Sequence, residues 1–221
     1  LFRQVFAFYS PSGATGFGES PTVYGSISDG TAGDADSVTN VGAQHIVNDN
    51  GGSFPESWAL GGNFSHRADH CCRFLAFVRV PTATTSAFWL FGLTKFDSTS
   101  GGTHFYAGEL QAGALALGIA FTLDAGTGNW FVVTNDGVTP ASYDTLVPWS
   151  DRQFLLEFRI DITNGGVEAW IDNVLVASIT TNLPAVSDPL YINVGGYKAG
   201  VANTTTGLYI SDLKLWERLP V

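Results

Sequence analysis

An all-β chain, folded as a two-sheet antiparallel sandwich, is predicted by three observations. Segments of alternating apolar and polar residues recur along the chain, about a dozen of them at spacings of roughly 8–15 residues, with turn residues between them. The composition is that of strands and turns: 26 glycines, 45% hydrophobic residues and only 14% charged ones. The length of 221 residues is one that an all-β sandwich fills as a single domain with a sizeable core. One domain is therefore expected over residues 1–221, with 10–50 as a loop-rich excursion.

Leu1 to Tyr9 is the first strand candidate. Ser10 to Asn50 is dense in Gly, Ser, Thr, Asp and Asn, with short strand candidates at Thr22–Ser28 and Gln44–Asn48. Ser53 to Ser65 reads as a strand pair broken at Gly61-Gly62, and Arg73 to Val80 as a strand ended by Pro81. Ser86 to Phe96 is apolar on both faces and so belongs in the middle of a sheet. His104 to Glu109 is a short candidate. In the next strand Leu115, Leu117, Ile119, Phe121 and Leu123 make a large face, and Ala114, Ala116, Gly118, Ala120 and Thr122 a small one. Asn129 to Asn135 follows, turning at Asn135-Asp136-Gly137.

The clearest stretch is Arg152–Ile179, a meander of three strands. Phe154, Leu156, Phe158, Ile160 and Ile162 take one face, and Leu155, Glu157, Arg159 and Asp161 the other. Asn164-Gly165-Gly166 and Asp172-Asn173 supply the two turns. Pro189–Gly196 and Leu208–Trp216 complete the chain. In the last strand Ile210, Leu213 and Leu215 share a face only if a bulge falls near Ser211-Asp212.

The net charge of −10 argues against nucleic acid and anionic membranes, since phosphate binding needs clustered Lys and Arg. No apolar run approaches the ~20 residues of a membrane-spanning helix. Cys71 and Cys72 are neighbours, a spacing incompatible with ordinary disulfide geometry, so free thiols are expected. Methionine is absent, so Leu1 is not expected to be the initiator position and a leader is expected to have preceded it.

The order FWLFGL, a long apolar strand, GNWFVVTNDG, FRIDITNGGVEAWIDNVLVASI, Leu183-Pro184 and GLYISDLKLW resembles the concanavalin A-like lectin/glucanase jelly rolls, laminin-G domains among them. It is most similar to divergent members in phage and other virion structural proteins. The resemblance runs from about Phe74 to Trp216. It implies two stacked antiparallel sheets with any glycan site on the concave face, but it does not fix function, because the fold hosts lectins, hydrolases, lyases and structural modules.

Catalysis is not expected. The Glu-x-Asp-x-(x)-Glu run of jelly-roll glucanases has no match, and Arg159 separates Glu157 from Asp161, a pattern typical of a solvated face. Tyr197-Lys198-Ala199-Gly200 is similar to an alginate-lyase signature. The Tyr and Gln that the signature places further on are Ala202 and Thr204 here, which leaves no group to move the proton. No Gly-x-Ser-x-Gly elbow is present, and Ser65-His66 and Asp69-His70 are mere sequence neighbours.

No metal or other cofactor is expected. His66, Asp69 and His70, next to Cys71 and Cys72, are the densest ligand cluster, yet two His four apart lie ~13 Å from each other on an extended strand. Calcium is the ion the resemblance allows. Asp29, Asp34 and Asp36, and Asp49 with Asn50, lie in Gly-rich stretches without an ordered ligand spacing, which reads as solvated turns. Asn63 and Asn203 begin glycosylation sequons of the kind expected by chance.

The candidate binding residues for a glycan or a partner are Trp170, Glu157, Arg159, Asp161 and Glu168: a ring to stack on, and polar groups for hydroxyls. The expectation is a non-catalytic structural or attachment protein on the exterior of a virion, in contact with other subunits and homo-oligomeric. The alternatives are a secreted carbohydrate-binding lectin-like module and, third, a polysaccharide lyase or glycoside hydrolase with a degenerate site.

Overall fold

The computed structural model describes residues 2–9, 25–29, 35–40, 43–48, 56–62, 66–80, 87–95, 117–124, 128–198 and 206–218. Among them are sixteen strands. In chain order these are β1 (Phe2–Tyr9), β2 (Gly25–Asp29), β3 (Ala35–Asn40), β4 (Ala43–Asn48), β5 (Glu56–Gly62), β6 (His66–Arg67), β7 (Cys71–Arg79) and β8 (Ala87–Thr94). Then follow β9 (Gly118–Asp124), β10 (Asn129–Asn135), β11 (Pro140–Pro148), β12 (Gln153–Asp161), β13 (Gly166–Ile171), β14 (Val174–Ile179), β15 (Pro189–Lys198) and β16 (Thr206–Arg218).

They form two antiparallel sheets. The first runs β14-β13-β12-β7-β16-β4-β3, and the second β11-β10-β9-β8-β15-β5-β2 with β6 beside β15. β16 organises the first sheet. β7 lies along one side of it; on the other side β4 pairs with residues 206–210 and β1 with residues 212–218.

The meander is β12-β13-β14. Its turn at Asp172-Asn173 has positive φ at both residues, 51° and 65°, which matches the twist of the strands it joins. Gly166, at φ 110°, begins β13; a Cβ there would sit 2.1 Å from the Ile179 carbonyl oxygen. The backbones approach too closely for any other residue.

Alternation puts the apolar faces of both sheets inside. Phe74, Phe154, Leu156, Phe158, Leu213 and Leu215 meet Phe91, Ile119, Phe121, Leu123 and Trp130, all fully buried. Phe121 stacks on Phe158 across the interface at 4.3 Å between centroids, and Trp130 meets Phe154 edge-on at 5.3 Å. Each such side chain contributes roughly 1.5–3 kcal/mol by burial. β8 is central, as its two apolar faces predict: Trp89, Leu90, Phe91, Leu93 and Thr94 are all buried.

Two bulges set which side chains face outward. The β16–β7 register slips at Ser211, as the pattern of Ile210, Leu213 and Leu215 requires, and again at Cys72. The first leaves Asp212, Lys214 and Trp216 on the outer face. The second buries Cys71 while Cys72 stands beside Arg73. Both cysteines are free thiols.

Several expectations are corrected. Glu56–Gly62 is one strand running through Gly61-Gly62, because both glycines keep their pairing with β15 or β2. Within 10–50, β2 and β4 match the candidates at Thr22–Ser28 and Gln44–Asn48, and β3 is a strand beyond them; together they join both sheets. Asp29 ends β2 and Asp36 lies in β3, so the two flank the β2–β3 connection. β11 was not foreseen. Among the described residues it is an edge strand paired only with β10, mostly exposed, bounded by Pro140 and Pro148 and interrupted by Leu146 at φ 58°. The candidates His104–Glu109 and Ala114–Ala116, both sequons, Asp34, Asp49 and Asn50 lie outside the described residues.

Candidate functional site

Directly paired residues form a row across six strands on the outer face of the first sheet. It runs Ser178 (β14), Glu168 (β13), Arg159 (β12), Arg73 (β7), Trp216 (β16) and Gln4 (β1). At ordinary strand spacing the row is roughly 24 Å long. A cleft of about 780 Å³ opens over it toward the β12–β13 turn, lined by Arg73, Arg159, Asp161, Glu168, Trp216 and Arg218 among others.

Two arginines directly opposite one another on neighbouring strands repel. Here one carboxylate serves both. Arg73 donates from Nε and Nη2 to Glu157 at 3.0 and 3.1 Å, and Arg159 donates from Nε to Glu157 Oε1 at 2.8 Å. Glu157 is 2% exposed, whereas the arginines are 44% and 49% exposed. Burial alone pushes the Glu157 carboxyl toward protonation, but the hydrogen bonds and charges of Arg159 and Arg73 outweigh it and hold the group below its ordinary value. Each guanidinium also lies over an indole: Arg73 over Trp216 at 5.1 Å from the ring centroid, and Arg159 over Trp170 at 4.1 Å. The Trp170 indole N–H donates to Glu168 at 3.2 Å.

Arg218 also lines the cleft. It donates to Asp161 Oδ1 at 3.0 Å and to the Ile160 carbonyl oxygen at 3.2 Å. The Arg218 hydrogen bond is the main cause that holds the Asp161 carboxyl below its usual range. Cys72 also lines the cleft, its thiol donating to the Trp216 carbonyl oxygen at 3.2 Å and kept protonated chiefly by burial.

The structure brings together Glu157, Arg159, Asp161 and Glu168 as the alternation placed them. Two points differ. Glu157 is not on a solvated face; it is the buried centre of the arginine pair. Trp170 is not among the residues that line the cleft, and Arg159 lies over its ring as Arg73 lies over Trp216. Arg73, Trp216 and Arg218 were not singled out from sequence. Trp216 was latent in the bulge reading, since placing Leu213 and Leu215 inside turns Trp216 out.

His66, Asp69 and His70 do not converge. His66 Nδ1 meets Glu217 Oε1 at 2.8 Å, Arg67 grips Asp69 at 3.1 and 2.8 Å, and His70 Nε2 is 3.8 Å from Asp69. Among the described residues no group of three or more His, Cys, Asp or Glu is placed to hold a metal ion.

Comparison with known proteins places the fold. No protein-family model matches the chain, and none of the curated proteins does. Solved structures do. A carbohydrate esterase from the Shiga toxin-encoding bacteriophage phi24B superposes with a TM-score of 0.58 at 15% identity, covering 99% of this chain and 100% of the phage protein. The carbohydrate recognition domain of Emp47p gives a TM-score of 0.60 at 11% identity, covering 87% and 89%. The catalytic domain of an endo-1,3-β-glucanase from Thermotoga petrophila gives 0.53 at 10% identity, covering 85% and 82%. The fold is thus concanavalin A-like, an architecture shared by lectins, glycoside hydrolases and a phage carbohydrate esterase.

Proposed function

We propose that the chain is a non-catalytic recognition module that seats a saccharide in the cleft on the outer face of its first sheet, and that it serves attachment on the exterior of a virion. The observation that carries this is the six-strand row. It offers hydrogen-bonding groups of both kinds along an extended track, with the Trp216 indole next to its β1 end, which suits a chain of hydroxyls and sugar rings. The phage protein that superposes over the full length, and the acidic, Gly-rich composition, support the virion setting.

The non-catalytic reading rests on the state of the cleft's groups. A glycosidase acid needs a raised pKa. Glu157 is held the other way and has both oxygens bonded to arginine. Asp161 is likewise held ionised, by Arg218. The cleft thiol, Cys72, is pushed toward its protonated form, the wrong direction for a nucleophile.

A glycan array probed with the purified chain tests the reading. Binding to a defined set of glycans is expected, and Trp216→Ala should reduce it at least tenfold. Trp170→Ala should weaken it less, because Trp170 acts through Arg159. Absence of binding across the array, or binding untouched by Trp216→Ala, would contradict the proposal. Release of product from an array glycan would refute the non-catalytic part.

The second reading is that the same face docks a neighbouring subunit of a homo-oligomeric assembly. It is favoured by Leu175, 45% exposed on the edge strand β14 and paired with Trp170 of the outer face. Sedimentation velocity separates the two. An assembly that dissociates on Leu175→Asp, with no glycan bound, supports docking.

A further inference from the structure

We infer that the opposed Arg73–Arg159 pair is a carboxylate-binding subsite, so that the ligand of the cleft is an acidic saccharide carrying single carboxylates. The inference rests on the saccharide reading above and adds its chemical class.

The chain has a net charge of −10, yet in this one cleft three arginines balance the three carboxylates of Glu157, Asp161 and Glu168. Two of them sit directly opposite each other, a placement that costs stability and needs a counter-charge. Glu157 supplies one negative charge for two positive ones, from the buried side of the row. Arg73 uses two of its five N–H donors on Glu157 and Arg159 uses one. The donors left over belong to half-exposed guanidiniums, which lie over the rings of Trp216 and Trp170. Such planar forks take a carboxylate in two parallel hydrogen bonds. The third arginine, Arg218, is committed to Asp161 and Ile160.

The surroundings limit the ligand's charge. Asp161 and Glu168 border the pair and disfavour a dense polyanion such as a polysulfated chain or nucleic acid. One carboxylate flanked by hydroxyls fits: the carboxylate to Arg73 and Arg159, hydroxyls toward Ser178 on one side, and the neighbouring ring toward Trp216 on the other.

Isothermal titration with two matched pairs of probes tests this: trigalacturonate against galactotriose, and sialyllactose against lactose. The acidic member of at least one pair is expected to bind tenfold or more tighter than its neutral partner, and which pair responds distinguishes a uronate from a sialate source. Arg159→Gln should lower that affinity at least tenfold. Glu168→Gln keeps the acceptor for the Trp170 indole and removes a bordering charge, so it should raise the affinity about two- to fivefold. This second variant decides the matter even if loss of Arg159 unfolds the protein. Equal binding of acidic and neutral probes, or weaker binding on Glu168→Gln, overturns the subsite while leaving the saccharide reading standing. Failure of both acidic probes to bind also overturns it, and the array then judges the saccharide reading separately.

Discussion

Replacing Arg73 and Arg159 together by Gln is expected to cost about 3–5 kcal/mol at pH 7, because it leaves the buried Glu157 carboxylate without a compensating charge. The sign of its pH dependence should also reverse. In the native protein the folded-state pKa of Glu157 is depressed below 4.5. Its contribution is therefore fully present above the unfolded value and is lost as pH falls through the folded one. In the double variant burial acts unopposed and the folded pKa rises. The variant then gains stability from this group as the solution is acidified, over the range where the native protein loses it. Adding Glu157→Gln should restore most of the loss, since the row is then neutral. Urea unfolding of the three proteins between pH 3 and 8 measures all of this. A double variant as stable as the native chain, or no rescue in the triple variant, would show that Glu157 does not depend on the two arginines.

Phe158→Ala is expected to destabilise the fold by about 3–5 kcal/mol, the range for emptying a buried aromatic site. Phe158 is fully buried, stacks on Phe121 of the opposite sheet at 4.3 Å, and packs on Phe74 of the adjacent strand at 6.1 Å. It therefore ties the sheets to each other as well as β12 to β7. For a domain of this size the loss corresponds to a fall in melting temperature of roughly 6–20 °C. Calorimetry of the variant checks it; a shift under 2 °C would mean that the sheets are not joined through this stack.

What the sequence reveals depends on how locally each feature is specified. The meander was legible because its alternation, its Asn-Gly-Gly and its Asp-Asn turns all lie within one stretch. The inward set Phe154, Leu156, Phe158 and Ile160 follows directly. The bulge at Ser211 was legible for the same reason: three apolar residues had to share a face. β11 was not, because an exposed edge strand pairs without an apolar face to advertise it. The site was half legible. Alternation put Glu157, Arg159, Asp161 and Glu168 on one face, but their chemistry depends on which strands stand beside them. Arg73 lies 84 residues from Glu157 in sequence, and only the pairing of β7 with β12 makes Glu157 a buried counter-ion instead of a surface charge. The same applies to Trp216, which enters the row through the pairing of β16 with β7. Trp170 is the ring that residue type offers; the pairing of β16 with β7 adds Trp216, which lines the cleft.

The central claim, that a saccharide sits on this row, is tested most directly by the six tryptophan indole N–H signals in nitrogen-15 correlation spectra during titration with a glycan selected on the array. The account predicts a large, saturable shift of the Trp216 signal, a smaller one of Trp170, and none of Trp89 and Trp130, which are buried between the sheets. Saturable binding that leaves Trp216 unmoved while another indole shifts would place the ligand elsewhere and contradict the account.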